Sequence, residues 1–188
     1  MSVILIAPNL QLHPVSPTDD ALILQIMRTI YPPVYQHLWP DQGEEYLYTT
    51  YTLENLKEEI SDINAYYFLI QYQNEYIGIF RIVFGQTTPG IKASYPNLQY
   101  CKLHRIYLHP KVHGKGIGKQ LFDWLQRWVQ PETAIWLEVM NTQKQAIGFY
   151  QRHGFEAFEN FTFDSSFLPS VRMIPEYTGM IRMVKLIL

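Results

Sequence analysis

Gly114, Gly116 and Gly118 alternate among Lys111, Lys115 and Lys119 in the stretch Leu108-His109-Pro110-Lys111-Val112-His113-Gly114-Lys115-Gly116-Ile117-Gly118-Lys119. Glycine has no Cβ, so a backbone built from it turns tightly and lies close against a ligand. The first amides of a helix beginning here point outward together, and the helix dipole adds partial positive charge. With the lysines nearby, the chemistry offered is a grip on a phosphate or diphosphate. Two common phosphate motifs fail on spacing. A Walker A loop ending at Gly118-Lys119 needs glycine at 113 and Ser or Thr at 120, where the chain has His113 and Gln120. A Rossmann fingerprint starting at Gly114 needs a third glycine at 119, where Lys119 stands. The plain alternative is a loop whose glycines only satisfy turn geometry.

A turn of this kind must be fed by a strand and must open a helix. Residues 100–108 read as the strand, stopped by Pro110. After Gly116, the residues Leu121, Phe122, Leu125, Trp128 and Val129 trace an apolar helix face. Upstream, 10–13 reads as a strand. Ser16-Pro17-Thr18-Asp19 then reads as a helix start, with the helix running to Pro32-Pro33. Residues 35–51 are polar and aromatic and read as loop; Leu53, Leu56, Ile60 and Ile63 mark a second helix. Runs 66–73 and 76–84 read as a hairpin turning at Asn74-Glu75, and 85–97 as loop. Downstream, 134–139 is a nearly continuous apolar run, as for a strand covered on both faces. Thr142 and Gln145 have capping-box spacing ahead of a helix carrying Ala146, Phe149 and Tyr150, and Gly154 stands where a helix ends. Runs 155–163 and 179–188 read as closing strands.

Composition sets the bounds. The chain has 188 residues, 47% of them hydrophobic and 17% charged, which predicts a globular protein forming a single domain over 1–188. The net charge of −2 argues against nucleic acid as a partner. The lone cysteine, Cys101, excludes an intrachain disulfide and a cysteine-based zinc site, and no metal site is expected. No apolar run is long enough to cross a membrane, and residues 3–7 lack the flank and length of a signal peptide. The expectation is a cytoplasmic protein with no membrane partner.

The glycine stretch, read with its surroundings, resembles the GNAT N-acyltransferase family. The family's central signature, Gln/Arg-x-x-Gly-x-Gly/Ala after its fourth strand, has its counterpart in His113-Gly114-Lys115-Gly116-Ile117-Gly118. Arg105-Ile106-Tyr107-Leu108-His109-Pro110 is similar to that fourth strand. Asn141, Ala146 and Phe149-Tyr150-Gln151-Arg152-His153-Gly154-Phe155 are similar to the family's later Asn…Ala…Phe-Tyr-x-x-x-Gly-Phe segment. The clear resemblance spans about 100–155.

The resemblance implies an α/β (α+β) fold. Its sheet is mixed and mostly antiparallel, with six to seven strands, split between strands four and five and flanked by about four helices. It implies acetyl-CoA as co-substrate. Ile106, Tyr107 and Leu108 would offer backbone groups to the pantetheine arm, as an added strand does. The amides of His113, Gly114, Lys115, Gly116, Ile117, Gly118 and Lys119 would hold the pyrophosphate, Asn141 would contact the coenzyme, and Tyr150 would protonate the departing thiolate. An amine attacks the thioester directly in a ternary complex, so no enzyme nucleophile is needed.

The sequence departs from the family pattern at two places. His113 stands where the family usually has Gln or Arg. Lys102 stands where many relatives carry a basic carboxylate, which leaves His104 and Glu138, or water, to take the amine's proton. The expected activity is N-acetylation of a primary amine: a small amine, a polyamine, or a protein amine, by a monomer or homodimer. Lys102 motivates an alternative, a coenzyme-binding module with impaired catalysis. A third reading puts another phosphate ligand on the same loop. Asp41, Glu44 and Glu45 would favour a cationic amine if they overhang the acceptor cleft, and are otherwise a solvated loop.

Overall fold

The computed structural model describes residues 2–188. One sheet takes strands β1 (Ile4–Ala7), β2 (Leu10–Pro14), β3 (Ala65–Tyr72), β4 (Glu75–Phe84), β5 (Gln99–Leu108), β6 (Thr133–Met140), β7 (Glu156–Thr162) and β8 (Gly179–Ile187). Their spatial order is β1-β2-β3-β4-β5-β6-β8-β7, antiparallel throughout except for the parallel pair β5–β6. The helices are α1 (Asp20–Ile30), α2 (Pro32–Tyr35), α3 (Glu44–Thr50), α4 (Leu53–Ser61), α5 (Pro89–Ser94), α6 (Ile117–Trp128) and α7 (Lys144–Arg152).

Side chains that alternate along the strands divide two cores. Phe68, Ile70, Phe80 and Ile82 point to the face covered by Leu121, Phe122 and Leu125 of α6. Tyr67, Leu69 and Ile79 point to the other, against Ile23 and Met27 of α1, Leu47 of α3 and Leu56 of α4. β6 contributes to both, as its continuous apolar run predicts. Cys101 is fully buried in β5, with burial pushing its thiol up to about 12.

The expected sheet and helices are present, with additions. The eighth strand is β1, which pairs with β2. Residues 35–51 are not a loop: Asp41 accepts from the amides of Gly43 (3.0 Å) and Glu45 (2.7 Å) and starts α3. Residues 85–97 hold α5, capped by the Thr88 hydroxyl, with Pro89 at its first position. The hairpin turns one residue earlier, with Gln73 and Asn74 both at positive φ. The Thr142–Gln145 capping box does not form. Gln143 is the N-cap, and the Thr142 hydroxyl is buried without a partner among the described residues.

Two irregularities shape the centre of the sheet. β5 pairs with β6 only from Gln99↔Thr133 to Lys102↔Trp136. Beyond that point, residues 103–108 and 137–140 diverge, which is the split expected between the fourth and fifth strands. On the other side of β5 the register slips from Arg81↔Arg105 to Ile82↔Leu103, so His104 is the extra residue of a β-bulge.

Candidate active site

Gly114 (φ +77°) and Gly116 (φ +74°) both adopt the left-handed conformation that suits glycine, and a Cβ at either would meet open space. α6 begins immediately after. Its first bond runs from the Gln120 amide to the Gly116 carbonyl, 3.1 Å. Among the described residues no backbone carbonyl receives the amides of Gly114, Gly116, Ile117, Gly118 or Lys119. The result is an open cradle of N–H donors at a helix N-terminus, suited to a pyrophosphate.

The side chains around the cradle have other tasks. His113 Nε2 bonds the Leu108 carbonyl at 3.1 Å and ties the loop to the end of β5. Lys111 pairs with Glu75 (2.6 Å) and Lys119 with Asp123 (2.5 Å). Lys115 lies 5.9 Å from the Tyr72 ring. Ile117 is buried in the core. A Cβ on Gly118 would lie 3.2 Å from the Phe149 ring, so that glycine lets α6 approach α7.

A groove of about 540 Å³ joins this loop to the split in the sheet. Ile106, Tyr107, Leu108, His113, Gly114 and Tyr150 all line it. The structure thus gathers these six candidate residues in one place. Asn141 lies outside the groove lining. Its amide donates to the Gly179 carbonyl at 3.0 Å, and its side chain covers Gly179, where a Cβ would lie 2.2 Å from Nδ2.

Tyr150 stands at a junction. It lines both the groove and an inner pocket of about 120 Å³ between the splayed strands. Its ring packs against Phe122, Phe149 and Phe155. α7 is closed behind it by Gly154 (φ +81°) and by Lys185, which donates to the His153 carbonyl at 2.6 Å. Burial, with a smaller effect of Tyr35, raises the Tyr150 pKa, so the phenol keeps its proton. Its hydroxyl has no protein partner among the described residues.

Glu138 and Lys102 meet where the strands part. Lys102 Nζ is 2.9 Å from Glu138 Oε2, and Arg182 Nε is 2.9 Å from Glu138 Oε1; Arg182 reaches Glu159 in turn at 2.5 Å. This chain of charges ties β5, β6, β8 and β7 together. Lys102 also lies 4.5 Å from the Trp136 ring. His104 lines both the inner pocket and a cavity of about 1030 Å³ on the far side of β5. Its Nδ1 is 2.7 Å from Arg81 Nη1. Glu45 accepts from the Ser170 amide and hydroxyl (2.8 and 2.9 Å) and the Val171 amide (2.6 Å), clamping the β7–β8 connection to α3. Asp41 and Glu45 are therefore structural acceptors rather than free charges over the cleft.

Sequence reasoning gave no role to Arg81 or to Gly78. A Cβ on Gly78 would lie 1.9 Å from the Tyr107 carbonyl oxygen, so this glycine sets how closely β4 holds the groove-lining end of β5. No local pattern marks either residue, since both matter only through strand pairing. Among the described residues no group of three or more His, Cys, Asp or Glu is placed to hold a metal, and no helix is long and apolar enough to cross a membrane.

Solved structures with this fold include an acetyltransferase of Salmonella typhimurium that modifies the N-terminal serine of ribosomal protein L7/L12. It has 15% identity and a TM-score of 0.63, over 98% of this chain and 99% of that one. A PaiA N-acetyltransferase of Thermoplasma acidophilum in complex with coenzyme A matches at 18% identity and a TM-score of 0.64, over 94% and 98%. A spermidine N-acetyltransferase chimera of Vibrio cholerae SpeG and hSSAT matches at 17% and 0.62, over 95% of each. At these identities the likeness shows the fold. The family model for the acetyltransferase (GNAT) family matches residues 25–155, more than half of the chain and inclusive of the cradle, the split and Tyr150. The chain belongs to the GNAT acetyltransferase family and is an acyltransferase that uses acetyl-CoA as its co-substrate.

Proposed function

We propose that this protein, as one domain over 1–188, transfers an acetyl group from acetyl-CoA to a primary amine by direct attack in a ternary complex. The observation that carries the reading is the position of Tyr150, a half-buried residue whose protonated, unpartnered hydroxyl stands where the groove meets the inner pocket. Acetyl-CoA supplies the activated thioester. The free amides of Gly114, Gly116, Ile117, Gly118 and Lys119 would grip its pyrophosphate, those of His113 and Lys115 being held by the Pro110 and Val112 carbonyls, and the unpaired edge of β5 at Ile106–Leu108 would align its arm. Asn141, resting on Gly179, would border the coenzyme at the end of β6. Tyr150 would give its phenolic proton to the departing thiolate.

The amine's proton needs a different route. Burial and neighbouring cations hold the His104 ring down to about 2, and its Nδ1 lone pair is engaged by Arg81. Each Glu138 oxygen already accepts from a cation. These arrangements weigh against either side chain as the base and favour water of the wide cavity, which shares His104 with the inner pocket. Lys102 has a structural account in its pairing with Glu138, and the impaired coenzyme-binding module stays the alternative that the thiol-release assay decides. The acceptor is an amine of a small molecule or a protein; neither nucleic acid nor membrane takes part, and the enzyme acts as a monomer or homodimer. The setting in this reading is cytoplasmic.

Thermal shifts with acetyl-CoA, CoA, ATP and NAD side by side test the coenzyme. At ~100 times its Kd a ligand adds about 2.7 kcal/mol. Thiol release across an amine panel then tests transfer. A shift with ATP or NAD but not CoA, or no thiol release with any amine, refutes the reading.

A further inference from the structure

Arg81 and Arg105 are register partners on β4 and β5 beside the His104 bulge, both buried, and both line the cavity of about 1030 Å³. Their partners differ. Arg105 Nη1 meets Glu59 Oε2 at 2.6 Å. Arg81 is 7% exposed and forms no ion pair among the described residues. Its Nη1 donates to the neutral His104, and its Nε is buried with no acceptor. Glu59 and Asp62 favour its charge only through space, and a buried guanidinium without a directly bonded counter-charge is costly. Here that cation lines a cavity that shares Tyr46, His104, Arg105 and Phe163 with the inner pocket.

Glu58, exposed, and Asp62, half-buried, line the same cavity. They oppose entry of a purely anionic molecule and attract an ammonium group. Asp62 Oδ1 accepts from the Asn64 amide at 2.9 Å rather than from Arg81. The cavity therefore offers one buried cation with no bonded counter-ion and separate carboxylates, a pattern complementary to a molecule that carries charge of both signs.

We propose that the cavity is the acceptor site and that Arg81 binds an oxyanion of the acceptor, making the preferred substrate a zwitterionic amine such as an amino acid. The proposal rests on the acetyltransferase reading and narrows it. Arg81 is a specificity-determining residue, and diamines or polyamines, which lack an oxyanion, are poor acceptors. A carboxylate and a phosphate ester present the same chemistry to a guanidinium, and the test separates them.

The test compares free amino acids, their carboxamides, diamines and aminoalkyl phosphates as acceptors in a thiol-release assay. Wild type, Arg81→Gln and Arg81→Lys are assayed in parallel. Amino acids are expected to lead, with kcat/KM at least ~10-fold above their carboxamides; a lead by aminoalkyl phosphates keeps the oxyanion site and changes its source. Arg81→Gln is expected to raise KM for the charged acceptors by about 10- to 100-fold, with little change for carboxamides, and Arg81→Lys to restore part of the loss. Carboxamides or diamines leading in wild type overturns the proposal, as does an equal loss by Arg81→Gln on every acceptor. The acetyl-CoA thermal shift of each variant reports folding and coenzyme binding. If Arg81→Gln does not fold, the wild-type ranking decides. If no acceptor turns over, calorimetry on the wild-type CoA complex decides: amino acids binding no tighter than their carboxamides sinks the proposal. Loss of the acetyl-CoA shift in wild type would instead sink the acetyltransferase reading.

Discussion

Nδ1 of His104 lies 2.7 Å from Nη1 of Arg81, across the bulge where β4 and β5 lose register. A guanidinium has only donors, so Nδ1 accepts and the ring's single proton sits on Nε2. Burial, then the charges of Arg105, Arg81 and Lys102, hold the ring at about 2 against an ordinary 6.5. The unfolded chain takes up a proton near pH 6.5 that the folded ring refuses. The unfolded state then binds more protons, so stability falls as pH drops below that point. Wild-type Tm is expected to decline from pH 7.5 to 5.5, with a limiting slope of about 1.4 kcal/mol per pH unit, and His104→Gln to decline less. Fluorimetric melts over that interval check this; identical slopes for both proteins refute the guanidinium-bound neutral ring.

Tyr150→Phe removes the donor at the junction and keeps the ring that packs on Phe122 and Phe155. The expected loss in kcat is about 10²- to 10⁴-fold, the usual range for one general acid. CoA affinity should change little. Calorimetry with CoA and single-turnover thiol release separate the two quantities. Full turnover in this variant would remove Tyr150 from the chemistry.

Gly78→Ala places a methyl where the Tyr107 carbonyl oxygen already sits, 1.9 Å away. The strands must shift, at a cost of about 1–3 kcal/mol or more. The displaced part of β5 also lines the groove, so CoA affinity should fall together with stability. Chemical denaturation and CoA titration read both effects. A variant as stable as wild type would show that β4 and β5 tolerate wider spacing here.

Glu45→Gln weakens the clamp on Ser170 and Val171. Burial raises the Glu45 pKa, but the Ser170 and Val171 hydrogen bonds outweigh it and the net shift is downward, so the carboxylate form is the one that clamps. The connection between β7 and β8 carries Phe163 and Phe167 into the lining of the large cavity. The expected outcome is faster tryptic cleavage after Arg172 and a raised KM for the acceptor with CoA affinity unchanged. Mass spectrometry of timed digests gives the first, steady-state kinetics the second.

The strand, glycine turn and helix from residue 99 to 128 were legible because each signal is local: an apolar run, a proline, alternating glycines, then helical periodicity. The helices at 44–50 and 89–94 were missed, although Asp41 and Thr88-Pro89 are start signals. Both segments are short, and their aromatic or turn-rich composition masks the period. Lys102 and Glu138 illustrate the opposite difficulty. They lie 36 positions apart and meet only because β5 and β6 are parallel neighbours, which no window along the chain reveals. Arg81 is silent for the same reason. Its lack of a direct ion pair is a property of the bulge and of Glu59 pairing with Arg105.

The short β5–β6 pairing makes the molecule two half-sheets, β1 to β5 and β6 to β8, stitched along backbone only from Gln99 to Lys102. A pantetheine arm lying in the gap, as proposed above, would bridge those halves like mortar between courses of brick. Coenzyme binding there would also be a mechanical event that stiffens the join, and amide hydrogen exchange should slow at residues 103–108 and 137–140 together, including positions the coenzyme never touches.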